Sequence, residues 1–346
     1  MAARAFVLAA GFGTRMRPLT EHRPKPLLPV CGVTVLEQAL GLCAQHRITS
    51  AVVNAHHLSS AIQRWCDAYT GMDIHVQVER PEILGTGGGM QHARPRLDEA
   101  FAVVNGDVLV DGDLGALLAD CAGPGVSASM LLRRSPDAAI HGIVAMDAAG
   151  VVARLTSLAR LEGATDLPED THFTGIHALR REALDHVPPQ GFSCIVRSAY
   201  VHLIPQGRVV GRLHPGTWLD VGNPAVYLEA NRAVMDGAIR LPLDPWERAA
   251  FGVRHDEGQA RRLGDAARCD LASGARMDAP CWIGAGATVQ ADAVLGPYTV
   301  VGDGAVVGAG ARLSNTIVWD GCTVPAGAQL EGCVVHDGGV LRVARP

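Results

Sequence analysis

The sequence predicts an α/β protein: a mostly parallel sheet covered by helices on both faces, followed by a short parallel β-helix. Three observations carry this expectation. Over the first two thirds, short apolar runs of strand type alternate with helical patterns, as in a sheet buried on both faces. Near the end, Ile283, Val289, Leu295, Val301, Val307, Leu313 and Trp319 fall at a strict six-residue period. Small residues recur four positions on, at Ala287, Ala293, Thr299, Ala305 and Ala311, and glycines fill the corners. A fixed short period means coils that stack their apolar faces into one column, which a flexible Gly/Ala-rich tail does not need.

The elements follow in order. Ala5-Phe6-Val7-Leu8-Ala9 is a continuous apolar strand feeding a glycine loop. Thr34-Val35-Leu36-Glu37 has the form of a capping box, and Ala39, Leu40 and Cys43 continue it at helical spacing. Ala51-Val52-Val53-Asn54 and Ile74 to Val78 are the next strands, and Phe101-Ala102-Val103-Val104 runs into Asn105-Gly106-Asp107. The expected organisation is one domain over residues 1–236, a polar connector rich in Arg and Asp over 237–275, and the β-helix over 276–346.

Composition excludes several classes. A formal net charge of −5 argues against a broad electrostatic grip on nucleic acid. Nine scattered cysteines contain no C-x-x-C pair, so reduced thiols in a cytoplasmic protein are expected rather than a disulfide frame or a zinc site. The first apolar run is too short for a signal segment or a membrane span, and no other segment approaches spanning length, so no membrane partner is expected.

Three stretches can carry chemistry. In "GFGTRMRPLTEHRPKPLLPV", residues 11 to 30, the strand-to-glycine turn can aim backbone N–H groups at phosphate oxygens. It is neither a dinucleotide fingerprint, since Met16 replaces the third glycine, nor a P-loop, which needs G-K-[ST]. It does gather Arg15, Arg17 and Lys25, and of the chain's 30 basic residues Lys25 is the only lysine. Lysine is a compact point charge where arginine is a planar fork. Locally, a polyphosphate site and a solvated basic loop both remain open. Asp107 at a strand end and Asp220 in "WLDVGNP" are carboxylates suited to a hard cation such as Mg²⁺, or equally to capping. Asp111 and Asp113 read as turn and N-cap residues. The third stretch, "ILGTGGGM" at residues 83 to 90, allows close backbone approach by a flat ligand or forms a plain loop.

Together these residues resemble the sugar-1-phosphate nucleotidylyltransferases. The pattern G-x-G-T-R-[LM]-x-P-[LT]-T followed by K-P-[LM]-[LV]-P is matched by Gly11 to Thr20 and Lys25 to Pro29. The base loop G-T-[AG]-G is Gly85 to Gly88, and the G-D motif is Gly106-Asp107. His141-Gly142-Ile143-Val144 stands for Y-G-V-V, and Thr174-Gly175-Ile176 for T-G-[IV]. Trp218 to Asn231 matches W-x-D-[IV]-G-x-P-x-x-Y-L-x-A-N, with Asn223 where Thr is usual. The resemblance covers residues 4–231, and the tail is similar to that of mannose-1-phosphate guanylyltransferases. It implies a Rossmann-like mixed sheet, a left-handed β-helix, and condensation of an NTP with a sugar 1-phosphate. It further implies Arg15 and Lys25 as catalytic phosphate contacts, and Leu8, Ala10, Gly11, Gly13, Thr14, Gly85 and Thr86 at the nucleotide. Asn105, Gly142, Thr174 and Gly175 fall to the sugar phosphate, and Asp107 and Asp220 to Mg²⁺.

The sequence departs from the family at one place. Many members carry an E-K-P lysine for the sugar phosphate, and here no second lysine exists; Arg154, Arg160 and Arg197 are the candidates to replace it. That gap, with "LGTGGG" in place of an alanine-bearing loop, leans toward N-acetylmuramate-1-phosphate uridylyltransferases, while the tail leans toward guanylyltransferases. A catalytically silent paralogue is the non-enzyme alternative, disfavoured because Arg15, Lys25, Asp107 and Asp220 are all present. An acyltransferase role for the tail is disfavoured by its short, nearly uninterrupted repeat, in which His336 is the lone histidine. The tail is expected to serve assembly into a homo-oligomer, or regulation.

Overall fold

Apolar runs of four to six residues set the centre of the first sheet. In the computed structural model, which describes residues 4–165, 167–256 and 259–344, seven strands build the sheet. They are β1 (Ala5–Leu8), β2 (Ser50–Ala55), β3 (Asp73–Val78), β4 (Ala100–Asn105), β5 (Ala128–Arg134), β6 (Thr171–Arg180) and β7 (Val209–Leu213). Their order is β7-β5-β6-β4-β1-β2-β3. β1 pairs in parallel with β2 and β4, β2 with β3, and β5 with β7. β6 runs antiparallel to both β4 and β5, so the sheet is mixed. Phe6, Val52, Phe101, Val103, Met130 and Leu132 are buried in its core, which is why these strands read as continuous apolar runs.

The helices used below are α1 (Val35–Gln45), α2 (Ser59–Ala68), α3 (Gly85–Ala93), α4 (Leu114–Cys121) and α5 (Pro224–Met235). Half of the predicted capping box forms: Thr34 Oγ1 accepts from the Glu37 amide at 3.2 Å. The Glu37 carboxylate does not reach back; it accepts from Arg248 at 2.6 Å, a stronger charge-assisted partner. Asp113 caps α4, its Oδ1 accepting from Ala116 N at 2.9 Å. Asp111 does more than turn the chain, because its Oδ1 accepts from the Thr217 amide at 2.6 Å and so holds the approach to Trp218.

The chain divides into two compact units, Met1–Phe12 with Ala39–Trp218, and Gly13–Gln38 with Leu219–Pro346. The first contains the mixed sheet. In the second, three parallel faces wind around one column. One stacks Cys281–Ile283, Thr299–Val301, Ile317–Val318 and Cys333–His336; a second stacks Asp270–Leu271, Thr288–Val289, Val306–Val307 and Thr323–Val324; a third stacks Arg276–Met277, Val294–Leu295, Arg312–Ser314 and Gln329–Glu331. Within 237–275, the stretch read as a connector, Phe251–Asp256 pairs antiparallel with Gln259–Gly264 and with Cys281–Ile283 (Glu257 and Gly258 lie outside the described residues). Gly339–Arg342 closes the other end, antiparallel to Cys333–His336.

The six-residue period holds through Leu313 and then breaks. Cys281 pairs with Thr299, eighteen residues on, which is three hexapeptides. Val301 pairs with Val318, seventeen on, because the corner after Leu313 is one residue short. Val318 therefore takes the column position expected for Trp319. With side chains alternating along a strand, Trp319 is turned outward, yet it is fully buried by what packs outside the coil.

All nine cysteines are free thiols, and burial pushes Cys43, Cys66 and Cys281 up to about 12, which keeps them as inert packing groups. Among the described residues no helix is long and apolar enough to cross a membrane.

His177 on β6 is buried beside Phe173 and hydrogen-bonded to the Tyr200 hydroxyl. Burial lowers its pKa from 6.5 to about 3. The unfolded chain takes up this proton near pH 6.5 and the folded chain only near pH 3, so protonation favours unfolding. Stability falls as pH drops through this window, by an amount on the order of a few kcal/mol. Urea midpoints of wild type and His177→Gln across pH 3 to 6.5 should diverge, the variant losing less; parallel curves would contradict the assignment.

Candidate active site

In the first unit, the carboxyl ends of three neighbouring strands frame a cavity. β1 is flanked by β4 on one side and β2 on the other, so chain connections leave in opposite directions, the usual ligand crevice of an open α/β sheet. A cavity of about 200 Å³ lies there, lined by Leu8, Ala10, Gly11, Gly85, Thr86, Asn105 and Asp107, together with Asn54 and Ile83. Seven residues singled out in three separate stretches of the sequence thus meet at one place.

Asn54 and Ile83 were not foreseen. Asn54 is buried, its Oδ1 accepting from Ala9 N at 2.7 Å and its Nδ2 donating to Glu79 Oε1 at 2.7 Å. Glu79 Oε2 accepts from Leu84 N at 2.7 Å, so one buried polar chain fixes the loop after β1 to the loop before α3. The available signal was an Asn ending an otherwise apolar strand.

The glycine run has a different reason from the one expected. Gly87, Gly88 and Gly89 lie inside α3 and are buried. The Gly87 and Gly88 amides both donate to the Ser193 carbonyl, at 2.8 and 3.1 Å, and the Ile195 amide donates to Thr86 Oγ1 at 3.0 Å. A Cβ on Gly88 would sit 2.5 Å from the Gly191 carbonyl. Most of the run therefore admits the protein's own 191–195 backbone; only Gly85 and Thr86 face the cavity.

Gly175 requires its glycine on two grounds: φ is +85°, and a Cβ would collide with the Asn105 amide. Two residues assigned to the sugar phosphate are therefore in contact. Thr174 is buried, its hydroxyl donating to Leu131 O at 2.8 Å while its carbonyl accepts from Trp218 Nε1 at 2.8 Å. Trp218 also meets the rings of His141 and His172, with centroids 5.2 and 4.7 Å away. Gly142 follows His141 with φ +92°, close to Thr156, and does not line the cavity. Of the three candidate arginines, Arg154 is ion-paired to Glu169 and Arg160 is bound to the Ala164 carbonyl. Arg197 is exposed and makes no ion pair among the described residues.

In the second unit, Gly13 takes a left-handed turn (φ +61°) and its carbonyl accepts from the Thr20 hydroxyl at 2.9 Å. Thr14 opens the short turn Thr14–Met16 and is exposed. Lys25 Nζ lies 3.1 Å from Asp220 Oδ1, and Arg15 NH2 lies 3.7 Å from Asp220 Oδ2. The Lys25 side chain is 9% exposed and that of Arg15 71%, so one cation is fixed and the other reaches into solvent. Asn223 caps α5 directly after this turn, accepting from Val226 N at 3.0 Å, a role the usual Thr would also fill.

The nucleotidyl transferase family model matches residues 4–237, and the model of the GMPPB C-terminal domain matches residues 277–342. A UTP–glucose-1-phosphate uridylyltransferase of Synechocystis sp. is 26% identical over 88% of this chain and 81% of its own length. A mannose-1-phosphate guanylyltransferase of Mycobacterium tuberculosis is 28% identical over 89% of this chain and 77% of its own. An N-acetylmuramate alpha-1-phosphate uridylyltransferase of Neisseria meningitidis serogroup B is 33% identical over 66% of this chain and 96% of its own. With more than half of its length matched by the first of these family models, the chain belongs to the nucleotidyl transferase family.

Proposed function

We propose that the protein condenses a nucleoside triphosphate with a sugar 1-phosphate, releasing pyrophosphate and an NDP-sugar, with GTP and mannose 1-phosphate as the favoured pair. A phosphate oxygen of the sugar 1-phosphate attacks the α-phosphorus. The bond from that phosphorus to the oxygen bridging to the β-phosphate breaks, and pyrophosphate leaves with the electron pair. The observation that carries this reading is the chain's only lysine, Lys25, buried and held 3.1 Å from a carboxylate within reach of Arg15.

The residue roles follow from that chemistry. No covalent intermediate is needed, so positioning and charge neutralisation do the catalysis. Gly11 and Gly13 offer amides to the phosphates, Lys25 neutralises the α-phosphate, and exposed Arg15 meets the departing pyrophosphate. Gly85 and Thr86 take the base. Asn105, Thr174 and Gly175 take the sugar side, Gly142 adds its backbone there, and Arg197 replaces the missing lysine at the sugar phosphate.

Mg²⁺ is the proposed metal. Asp107 and Asp220 supply hard carboxylate oxygens of the right chemistry. No group of three or more His, Cys, Asp or Glu among the described residues is arranged to hold an ion alone. Substrate phosphates and water would therefore complete its shell, as is common for Mg²⁺. When bound, the ion neutralises phosphate charge.

The match of the tail supports the guanylyltransferase reading; N-acetylmuramate 1-phosphate with UTP is the alternative, supported by the uridylyltransferase relative of the catalytic part. We place the protein in the cytoplasm, in keeping with nine free thiols. We also propose a homo-oligomer through the β-helix, in keeping with its open edge strand Gly339–Arg342, where Val340 is exposed. Purified protein with Mg²⁺, each of four NTPs and a panel of sugar 1-phosphates should release pyrophosphate fastest with GTP and mannose 1-phosphate. A preference for UTP with N-acetylmuramate 1-phosphate would select the alternative.

A further inference from the structure

Arg23 stands two residues before Lys25, and among the described residues the ion pairs and the ring contact of its guanidinium go to the β-helix. Its Cζ lies 4.4 Å from the centroid of the Trp319 ring. NH1 is 3.4 Å from Asp320 Oδ2 and NH2 is 3.9 Å from Asp337 Oδ2. Asp320 and Asp337 are the same corner position in successive seventeen-residue coils, as the pairing of Val318 with Val335 fixes the register. One planar fork thus bridges two coils while its face rests on an indole, a combination a lysine does not offer.

The same indole holds the other side of Lys25. Trp319 Nε1 donates to the Tyr227 hydroxyl oxygen at 3.2 Å, and that hydroxyl donates to the Pro29 carbonyl at 2.6 Å. Two residues further on, Cys31 N donates to Asn231 Oδ1 at 2.9 Å. Lys25 therefore hangs between two anchors, Arg23 before it and Pro29 after it, and both end on Trp319. Trp319 is available for this only because the short corner after Leu313 turns it out of the column. Residues 13–38 accordingly group with the β-helix in one compact unit.

We infer that Arg23, clamped on Trp319, is a positioning residue for Lys25, and that the β-helix is a working part of the nucleotidyl-transfer site. The inference rests on the proposed role of Lys25 at the α-phosphate. A flexible four-carbon stem acts as a preorganised charge only if its backbone is held, and a misplacement of about 1 Å can cost on the order of 10²-fold in rate.

The lone lysine permits a test that does not depend on turnover. Protein labelled with ¹³C at the lysine ε-carbon gives a single side-chain signal in NMR. In Arg23→Ala and in Trp319→Leu that signal should move toward the position of free lysine; an unchanged signal in both would overturn the inference. In kinetics, Arg23→Ala should lower kcat by about 10–100-fold with little change in KM for the NTP. Arg23→Lys, which keeps charge but not the flat stack, should recover only part. In a Lys25→Arg background, Arg23→Ala should add nothing, because the contact it serves is already broken. Wild-type kcat in Arg23→Ala, or fully multiplicative losses in the double variant, would overturn the inference. A wild type that moves no nucleotidyl group while its lysine signal still depends on Arg23 would leave the clamp standing and refute the function instead.

Discussion

Lys25→Arg lowers kcat/KM by about 10²–10³-fold, roughly 3–4 kcal/mol, although charge is preserved. The side chain is 9% exposed and its Nζ sits 3.1 Å from Asp220 Oδ1, with the Gly13 turn packed against its stem. A guanidinium is wider and planar, and it would take Asp220 as a fork instead of leaving a compact charge for one phosphate oxygen. A solvated basic loop would tolerate the change, as arginine is tolerated at the other twenty-nine basic positions. Steady-state kinetics, with circular dichroism to exclude unfolding, separate the two. Wild-type kcat/KM would make the position of the only lysine an accident.

Replacing either proposed metal ligand is expected to be more damaging still. Asp107→Asn and Asp220→Asn should each cost about 10³-fold or more in kcat while leaving the fold intact, since charge neutralisation at the phosphates is worth several kcal/mol. The two should differ in detail. Asp107 lines the cavity of the first unit. Asp220 also holds Lys25 and Arg15, so its loss both weakens the metal and releases a cation. Titration of Mg²⁺ against rate should show a raised half-saturation concentration in both variants. Unchanged Mg²⁺ dependence with full turnover in either variant would remove that residue from the metal site.

Much of this was legible in the sequence because it is local. Buried strands β1, β2 and β4 announce themselves as apolar runs, and Asp113 caps its helix through a contact three residues away. The six-residue period gave the column directly as far as Leu313. What the sequence hides is contact over long separations. The glycines at 87 and 88 read as a ligand loop because the backbone they admit, 191–195, lies about a hundred positions on. Trp319 reads as the seventh column residue because the shortening of one corner appears only when coils are laid in register. Arg23 reads as one more solvated cation for the same reason, since Asp320 and Asp337 lie some three hundred residues away. Asn54 and Glu79 form a network whose members are individually unremarkable polar residues at strand ends.

The central claim is direct transfer of a nucleotidyl group to a sugar 1-phosphate by a site that only neutralises and positions. It is tested most directly by a single turnover with α-³²P-labelled GTP, Mg²⁺ and mannose 1-phosphate, quenched in acid. All of the transferred label is expected in the sugar nucleotide, with one equivalent of pyrophosphate released and none without the sugar 1-phosphate. Label precipitating with the protein, or pyrophosphate released with the NTP alone, would contradict it.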